Sequence, residues 1–162
     1  MVDIRDETSS DSKEVCRVVC SAFGQTAEAQ LIEKLREADD IVISLVAAEN
    51  EQIVGHVLLS KMDAPFSALA LAPVSVLPAK QRRGIGSALI KEAVTRAREE
   101  GWAAIFVLGD PEYYERFGFD VEAAAGFTSP YAGRYFMVLK LSSSLPVTTG
   151  ELKHAPAFAA LD

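Results

Sequence analysis

The chain has 162 residues, 49% hydrophobic and 24% charged, with a formal net charge of -7. A chain of this length buries roughly two thirds of its unfolded surface, so a single domain over 1–162 is expected. No apolar run nears the roughly 20 residues that span a bilayer, the start MVDIRDETSSDSKEV lacks the basic end and apolar core of an export signal, and the acidic balance disfavours nucleic acid. The expectation is a cytoplasmic protein with neither membrane nor nucleic acid as partner.

Asp11 with Glu14 three residues on has the form of a capping box. Val15, Val18, Val19, Ala22 and Phe23 then recur at helical spacing, so a first helix is expected to about Gly24. Cys16 and Cys20, the only cysteines, lie four apart on it with no neighbouring His to complete a metal site. They are read as buried thiols, and no metal is expected. A second helix follows Thr26, with Leu31, Ile32 and Leu35 on one face, and stops near Asp39 and Asp40. IVISLVAAEN and QIVGHVLLSK are β-branched, apolar runs across a polar turn, which predicts an antiparallel hairpin.

LALAPVSVLP reads as a strand buried on both faces, but Pro73 cannot donate to a ladder, so the strand should be bulged or unpaired there. From Gly84 to Glu100, Ile85, Leu89, Ala93 and Ala97 repeat every four beside Ile90 and Val94, and Gly101 is placed to end that helix. AAIFVLGD predicts a further buried strand, Asp110 and Pro111 the N-cap and first position of a short helix, and GRYFMVLKL a late strand. Ser142 to Ser144 break the chain before a tail, so the domain divides into a core, 1–141, and a tail, 142–162, whose structure the pattern does not specify and for which packing on the sheet is one option. The order is a mixed α/β (α+β) layout in which the strand-turn-helix-strand unit, 69–109, should be parallel.

The turn of that unit, PAKQRRGIGSALI, gathers Lys80, Arg82 and Arg83 beside Gly84 and Gly86. A helix N-terminus presents unpaired N–H groups and partial positive charge, and glycines let a phosphate come close, so the turn suits a pyrophosphate or similar anion. A solvated basic turn accounts for the glycines alone equally well. The third glycine of a dinucleotide fingerprint is missing, and so is the G-x-x-x-x-G-K-[ST] of a P-loop.

VSVLPAKQRRGIGSALI resembles the acyl-CoA motif of the GCN5-related N-acetyltransferases (GNAT), with Gln81, Gly84 and Gly86 meeting its Q/R-x-x-G-x-G/A signature. YERFGF, Tyr114 to Phe119, resembles that family's Y-E-x-x-G-F segment, and LGDPEYYERFGF its YhbS-like branch of predicted acetyltransferases. The resemblance implies a twisted mixed sheet of about six to seven strands flanked by about four helices, with two parallel strands splayed at the acyl-CoA site. It implies acetyl-CoA as acyl donor, held by backbone groups of Val74, Ser75 and Val76 and, at the pyrophosphate, by the run Arg82, Arg83, Gly84, Ile85, Gly86 and Ser87. A backbone N–H near Val76 would stabilise the oxyanion. Tyr114 falls where the family places its proton donor; a half-buried structural aromatic is the competing reading. Tyr113, about 100° away on a helix, is read as packing or substrate wall.

No general base is named: the position that carries Glu in some members is Ala70, and the Asn often found upstream of the Tyr aligns with Val107. His56 can face the cleft or serve as a hydrogen-bonded structural residue. The expected activity is acetyl transfer to a primary amine by direct attack in a ternary complex. The alternative is a non-catalytic acyl-CoA-binding sensor or interaction module. The acceptor stays open among polyamine-like metabolites, aminoglycosides, amino acid derivatives and protein N-termini, with residues 23 to 40 and the loop Asp63 to Ser67 shaping its side. The resemblance is compatible with a homodimer.

Overall fold

The computed structural model describes residues 2–161; Met1 and Asp162, which the 1–162 assignment includes, lie outside the described residues. In chain order the elements are β1 (Asp3–Asp6), α1 (Ser12–Phe23), α2 (Ala27–Glu37), β2 (Ile41–Glu49), β3 (Gln52–Asp63), β4 (Ala68–Val76), α3 (Ile85–Glu99) and β5 (Ala104–Leu108). After them come α4 (Pro111–Tyr114), α5 (Val121–Ala124), β6 (Phe127–Thr128), β7 (Phe136–Lys140), β8 (Gly150–Glu151) and β9 (Lys153–His154). A seven-stranded sheet runs β1-β2-β3-β4-β5-β7 with β9 attached to β3, and β6 pairs β8 apart from it. The neighbours are antiparallel except β4 and β5, which are parallel. The sheet is therefore mixed, as anticipated, with α4 and α5 as single turns.

The period-2 alternation of the strands sorts the core onto two faces. In β4 and β5, Leu69, Leu71, Ile105 and Val107 pack with Ile85, Leu89, Ala93 and Ala97 of α3. Ala70 turns the other way, against Val15, Val18, Val19, Leu31, Ile32 and Leu35 of α1 and α2 and Phe158 of the tail. Ala68, Ala104 and Phe106 share that second side with Phe127, Phe136 and Leu152. The tail is thus built into the core through Leu152, Ala155 and Phe158.

The proline signal in β4 has a geometric outcome. Val57 pairs with Val74 and Leu59 with Leu71, so two steps along β3 face three along β4, and the extra residue falls at Ala72 and Pro73. Parallel pairing of β4 with β5 stops early: it covers Ala68 with Ala104, Leu69 with Ile105 and Ala70 with Phe106. Past Ala70 the two strands run on without pairing to each other, β4 to Val76 along β3 and β5 to Leu108 along β7.

Two local expectations need correction. The side chain of Asp11 does not form a box with Glu14. It turns back to the Thr8 N–H (2.8 Å) and Arg5 (2.7 Å), while Glu14 accepts from Ile53 N (3.1 Å). The cysteines are not buried: Cys16 is exposed and Cys20 intermediate, their sulfurs 3.9 Å apart. The buried stripe of α1 is Val15, Val18 and Val19, and Cys16, one position past Val15, is rotated about 100° away from it.

β1 was not anticipated, and it brings in a buried carboxylate. The Glu7 side chain, 2% exposed, accepts from Ser44 Oγ (2.5 Å) and Arg36 Nη2 (3.1 Å), with His56 Nε2 at 3.7 Å. Burial alone would raise its pKa, but the neighbouring His56, the Ser44 hydrogen bond and the Arg36 charge outweigh burial and lower it from 4.5 to about 2. A depressed carboxyl pKa gives stability that is complete above the unfolded value and is lost as pH falls through the folded one. Between pH 4.5 and 2 this group should therefore withdraw on the order of 3 kcal/mol. Acid unfolding followed by circular dichroism should be shallower in Glu7→Gln than in the parent; parallel curves would contradict this. His56 is thereby assigned: fully buried and bonded to Ser44 Oγ at 2.8 Å, it is structural.

Candidate active site

Two clefts border the stretch where β4 and β5 part. The first, about 580 Å³, lies at the N-terminus of α3, between Val74 and Val76 of β4, the turn residues Lys80 to Arg82, Gly84 to Ser87, Tyr113 of α4 and Arg116 just after it. Gly84 caps α3 with φ of 82° and accepts from Ala88 N at 3.0 Å, leaving the N–H groups of Ile85, Gly86 and Ser87 without helical partners. Arg82 also sits at positive φ, 66°, a conformation uncommon for a residue with a Cβ, so the turn holds it in a fixed attitude. A Cβ on Gly86 would stand 3.5 Å from the Tyr113 hydroxyl and 3.7 Å from Val76 Cγ2, inside the cleft.

The charges around this cleft are not equivalent. Lys80 Nζ is 2.6 Å from Glu49 Oε1 and holds that carboxyl below its usual range. Among the described residues Arg82 and Arg83 have no carboxylate within 4.0 Å. Arg116 lies with its guanidinium 4.5 Å from the Tyr113 ring centroid. The cleft therefore presents two cations with no carboxylate partner among the described residues, Arg82 and Arg116, the latter donating from Nε to Tyr113 O at 3.2 Å, beside an open helix N-terminus, which is the composition of an anion site.

Of the residues singled out from sequence, Val74, Val76, Arg82, Gly84, Ile85, Gly86 and Ser87 line this cleft. Arg83 is exposed beside it. Ser75 is buried on the opposite side of the strand with its hydroxyl unpartnered, so only its backbone is available. Val76 O accepts from Gln81 Nε2 at 3.1 Å and pairs with no β5 residue; N–H and C=O of one strand residue point the same way, so its N–H faces the gap. Lys80 and Gln81, which the motif marked without their being assigned as ligands, also line the cleft, together with Tyr113, read as packing or substrate wall, and Arg116, which was not anticipated. For the last two the signal was present: three apart across one helical turn, they share a face.

The tyrosines diverge as helical geometry requires. Tyr113 faces the cleft, its hydroxyl 3.2 Å from Ser87 Oγ. Tyr114, 9% exposed, packs behind it, with ring centroids 5.0 Å apart, against Phe119 and the core under α3. Gly109 makes room for that ring, since a Cβ there would lie 2.5 Å from Tyr114 Cε2. Burial, and then the neighbouring Tyr113, push the Tyr114 hydroxyl up to about 12. Among the described residues it has no hydrogen-bond partner.

The second cleft, about 330 Å³, lies on the side of α1 and α2. The parted ends of β4 and β5 form its floor, the loop entering α2 supplies Gln25 and Glu28, and the later chain supplies Tyr131, His154 and Phe158. Residues of the 23 to 40 segment take part as anticipated, whereas Asp63 to Ser67 are not among the lining residues. The tail's contribution was missed because its apolar residues are few and irregularly placed. Burial lowers the His154 pKa to about 4, so this imidazole is neutral at neutral pH. Among the described residues no group of three or more His, Cys, Asp or Glu is placed to hold a metal ion, and no helix is long and apolar enough to cross a membrane.

This arrangement can be set beside known proteins. A family model described as an acetyltransferase (GNAT) domain matches residues 3–121. The N-acetyltransferase YjhQ of Escherichia coli K12 is 35% identical over 131 residues, 75% of this chain and 72% of that protein. YhbS of the same strain is 34% identical over 124 residues, 74% of each. The crystal structure of Escherichia coli YhbS in complex with CoA superposes with a TM-score of 0.91 at 30% identity, covering 98% of this chain and 92% of that one. A Brucella melitensis GNAT acetyltransferase in complex with acetyl-CoA gives 0.84 at 32% identity, covering 98% of both.

Proposed function

The chain belongs to the GNAT family of N-acetyltransferases, and from that premise we propose that it moves the acetyl group of acetyl-CoA to a primary amine by direct attack in a ternary complex. The observation that carries this reading is the parting of β4 from β5 after Ala70, with an anion site on one side of the gap and a separate cleft on the other. The CoA and acetyl-CoA complexes of the two similar structures support the choice of donor.

In this reading the pyrophosphate lies on the N–H groups of Ile85, Gly86 and Ser87, with Arg82, Arg83 and Arg116 as countercharges. The pantetheine arm runs along the backbone of Val74, Ser75 and Val76, and the thioester reaches the gap. The amine enters from the second cleft; its lone pair forms the C–N bond while the carbonyl oxygen takes up negative charge. The free N–H of Val76 is positioned to stabilise that oxyanion. As the C–S bond breaks, the Tyr114 hydroxyl donates to the departing sulfur. Ala70 offers no carboxylate at the floor of the second cleft, so the proton leaving the amine goes to solvent water.

Thermal unfolding with acetyl-CoA, ATP and NAD tests the donor. Acetyl-CoA at ~100 times its Kd should add about 2.7 kcal/mol, on the order of 5 to 10 °C, and the other two little. Gly86→Glu, which places a bulky anion in the cleft, should abolish the shift while leaving the ligand-free Tm within a few degrees. An equal shift with all three nucleotides would reduce the turn to a general anion site. Amine-dependent release of free thiol separates the enzyme from a non-catalytic binder.

A further inference from the structure

The second cleft carries information about the acceptor. Its floor and walls are mostly apolar: Ala70, Phe106 and Leu108 from the parted strands, and Phe158 from the tail. Leu108 is one of the few large hydrophobic side chains left exposed among the described residues, at 52%, although it ends a strand whose other residues are buried. Solvent-facing apolar surface at the rim of a concave site is what an apolar ligand covers. Among the described residues Glu28 is the only acidic one lining it, in the first turn of α2, where its carboxylate accepts from Gln25 Nε2 at 3.1 and 3.2 Å. His154, facing Tyr131 and Phe158 edge-on, is neutral and adds no positive charge to repel a cation.

We propose that the acceptor is a small primary monoamine on an apolar body, aryl-alkyl or alkyl, with its ammonium end toward Glu28 and its body against Phe106, Leu108 and Phe158. This rests on the acetyl-transfer reading above and narrows it. A polyamine would bring a second and third ammonium into a cleft with one carboxylate, leaving them desolvated without partners. An aminoglycoside needs many hydrogen bonds that these side chains do not offer, and about 330 Å³ is at the small end of ligand pockets. The step balances simply: the ammonium gives one proton to water, nitrogen bonds the acetyl carbon, the C–S bond breaks, and the second proton lost by nitrogen replaces, through water, the one that the thiolate takes up. Amide, free CoA thiol and one released proton result.

The test measures thiol release from acetyl-CoA with 2-phenylethylamine, hexylamine, spermidine, kanamycin and a short peptide with a free N-terminus. Saturation-transfer NMR of 2-phenylethylamine on the acetyl-CoA-loaded protein runs alongside. The two monoamines should show kcat/KM at least tenfold above the other three, and 2-phenylethylamine should show saturable transfer. Glu28→Gln should lower its kcat/KM ten- to a hundredfold with the KM for acetyl-CoA unchanged. Leu108→Asp, at an exposed position that folding tolerates, should move the preference at least tenfold toward spermidine. Better use of spermidine, kanamycin or the peptide, or no saturable transfer to 2-phenylethylamine, overturns the assignment. If acetyl-CoA still shifts the Tm in that case, the acceptor class alone is wrong; if acetyl-CoA gives no shift, the donor reading falls with it.

Discussion

Tyr114→Phe should lower amine-dependent thiol release by about a hundredfold while leaving the acetyl-CoA-induced rise in Tm intact. The substitution removes one oxygen from a buried ring. Because that hydroxyl has no partner in the free protein, its loss costs little stability. Its pKa of about 12 keeps it protonated at any working pH, so it can donate but cannot act as a base. Against a thiol near 8.5, complete proton transfer is uphill by roughly 3 to 4 pKa units, or about 5 kcal/mol. The hydroxyl therefore contributes mainly by hydrogen-bonding the sulfur as charge develops, and the expected effect is two orders of magnitude rather than four. Tyr113→Phe is the control: its hydroxyl bonds Ser87 in the first cleft, so the KM for acetyl-CoA should rise a few-fold with kcat nearly unchanged. Unchanged turnover in Tyr114→Phe, with chemistry rate-limiting, would remove Tyr114 from the mechanism.

Gly126→Ala should separate the two sides of the site. A Cβ at Gly126 would lie 2.2 Å from the Thr148 carbonyl oxygen, a backbone atom that cannot step aside without moving the tail. That tail is fastened there through β6 and β8 and the Leu152 N–H to Thr128 O bond of 2.8 Å, and further on it carries His154 and Phe158 into the second cleft. Overpacking of this kind costs typically 1–3 kcal/mol, on the order of 3 to 10 °C in a domain of this size. Amine turnover should fall at least tenfold, yet the Tm increment from acetyl-CoA should persist, because among the described residues none of the tail lines the first cleft. Loss of that increment would mean that the tail supports the donor side as well.

The parts legible in the sequence were those with a periodic or stereochemical signature. α3 showed its period of four, its glycine cap and its terminal Gly101, and Pro73 marked the bulge because a residue without an N–H cannot hold a central ladder. β1 was illegible because Asp3–Asp6 bears no apolar alternation; its backbone pairing with β2 holds it in place. Glu7, Ser44 and His56 meet through contacts up to 49 residues apart, which no local pattern encodes. The motif put Tyr114 at the reacting sulfur and Tyr113 in packing or a substrate wall; in the structure Tyr113 lines the first cleft while Tyr114 lies behind it and lines neither cleft, an outcome set by the packing of Phe119 and Gly109.

The parting of β4 from β5 also bears on how the protein persists between turnovers. Proteins ordinarily confine unpaired strand edges to the margin of a sheet and guard them with charge or a covering element. Here two such edges face each other inside the sheet, on strands whose other sides pair with β3, apart from the bulge at Ala72 and Pro73, and with β7. In the proposed reading the cosubstrate closes that seam, so free and loaded protein differ in stability by an amount set by donor concentration. Abundant donor then also protects the chain from local opening and from proteases, and the lifetime of the enzyme follows the supply of the metabolite it spends.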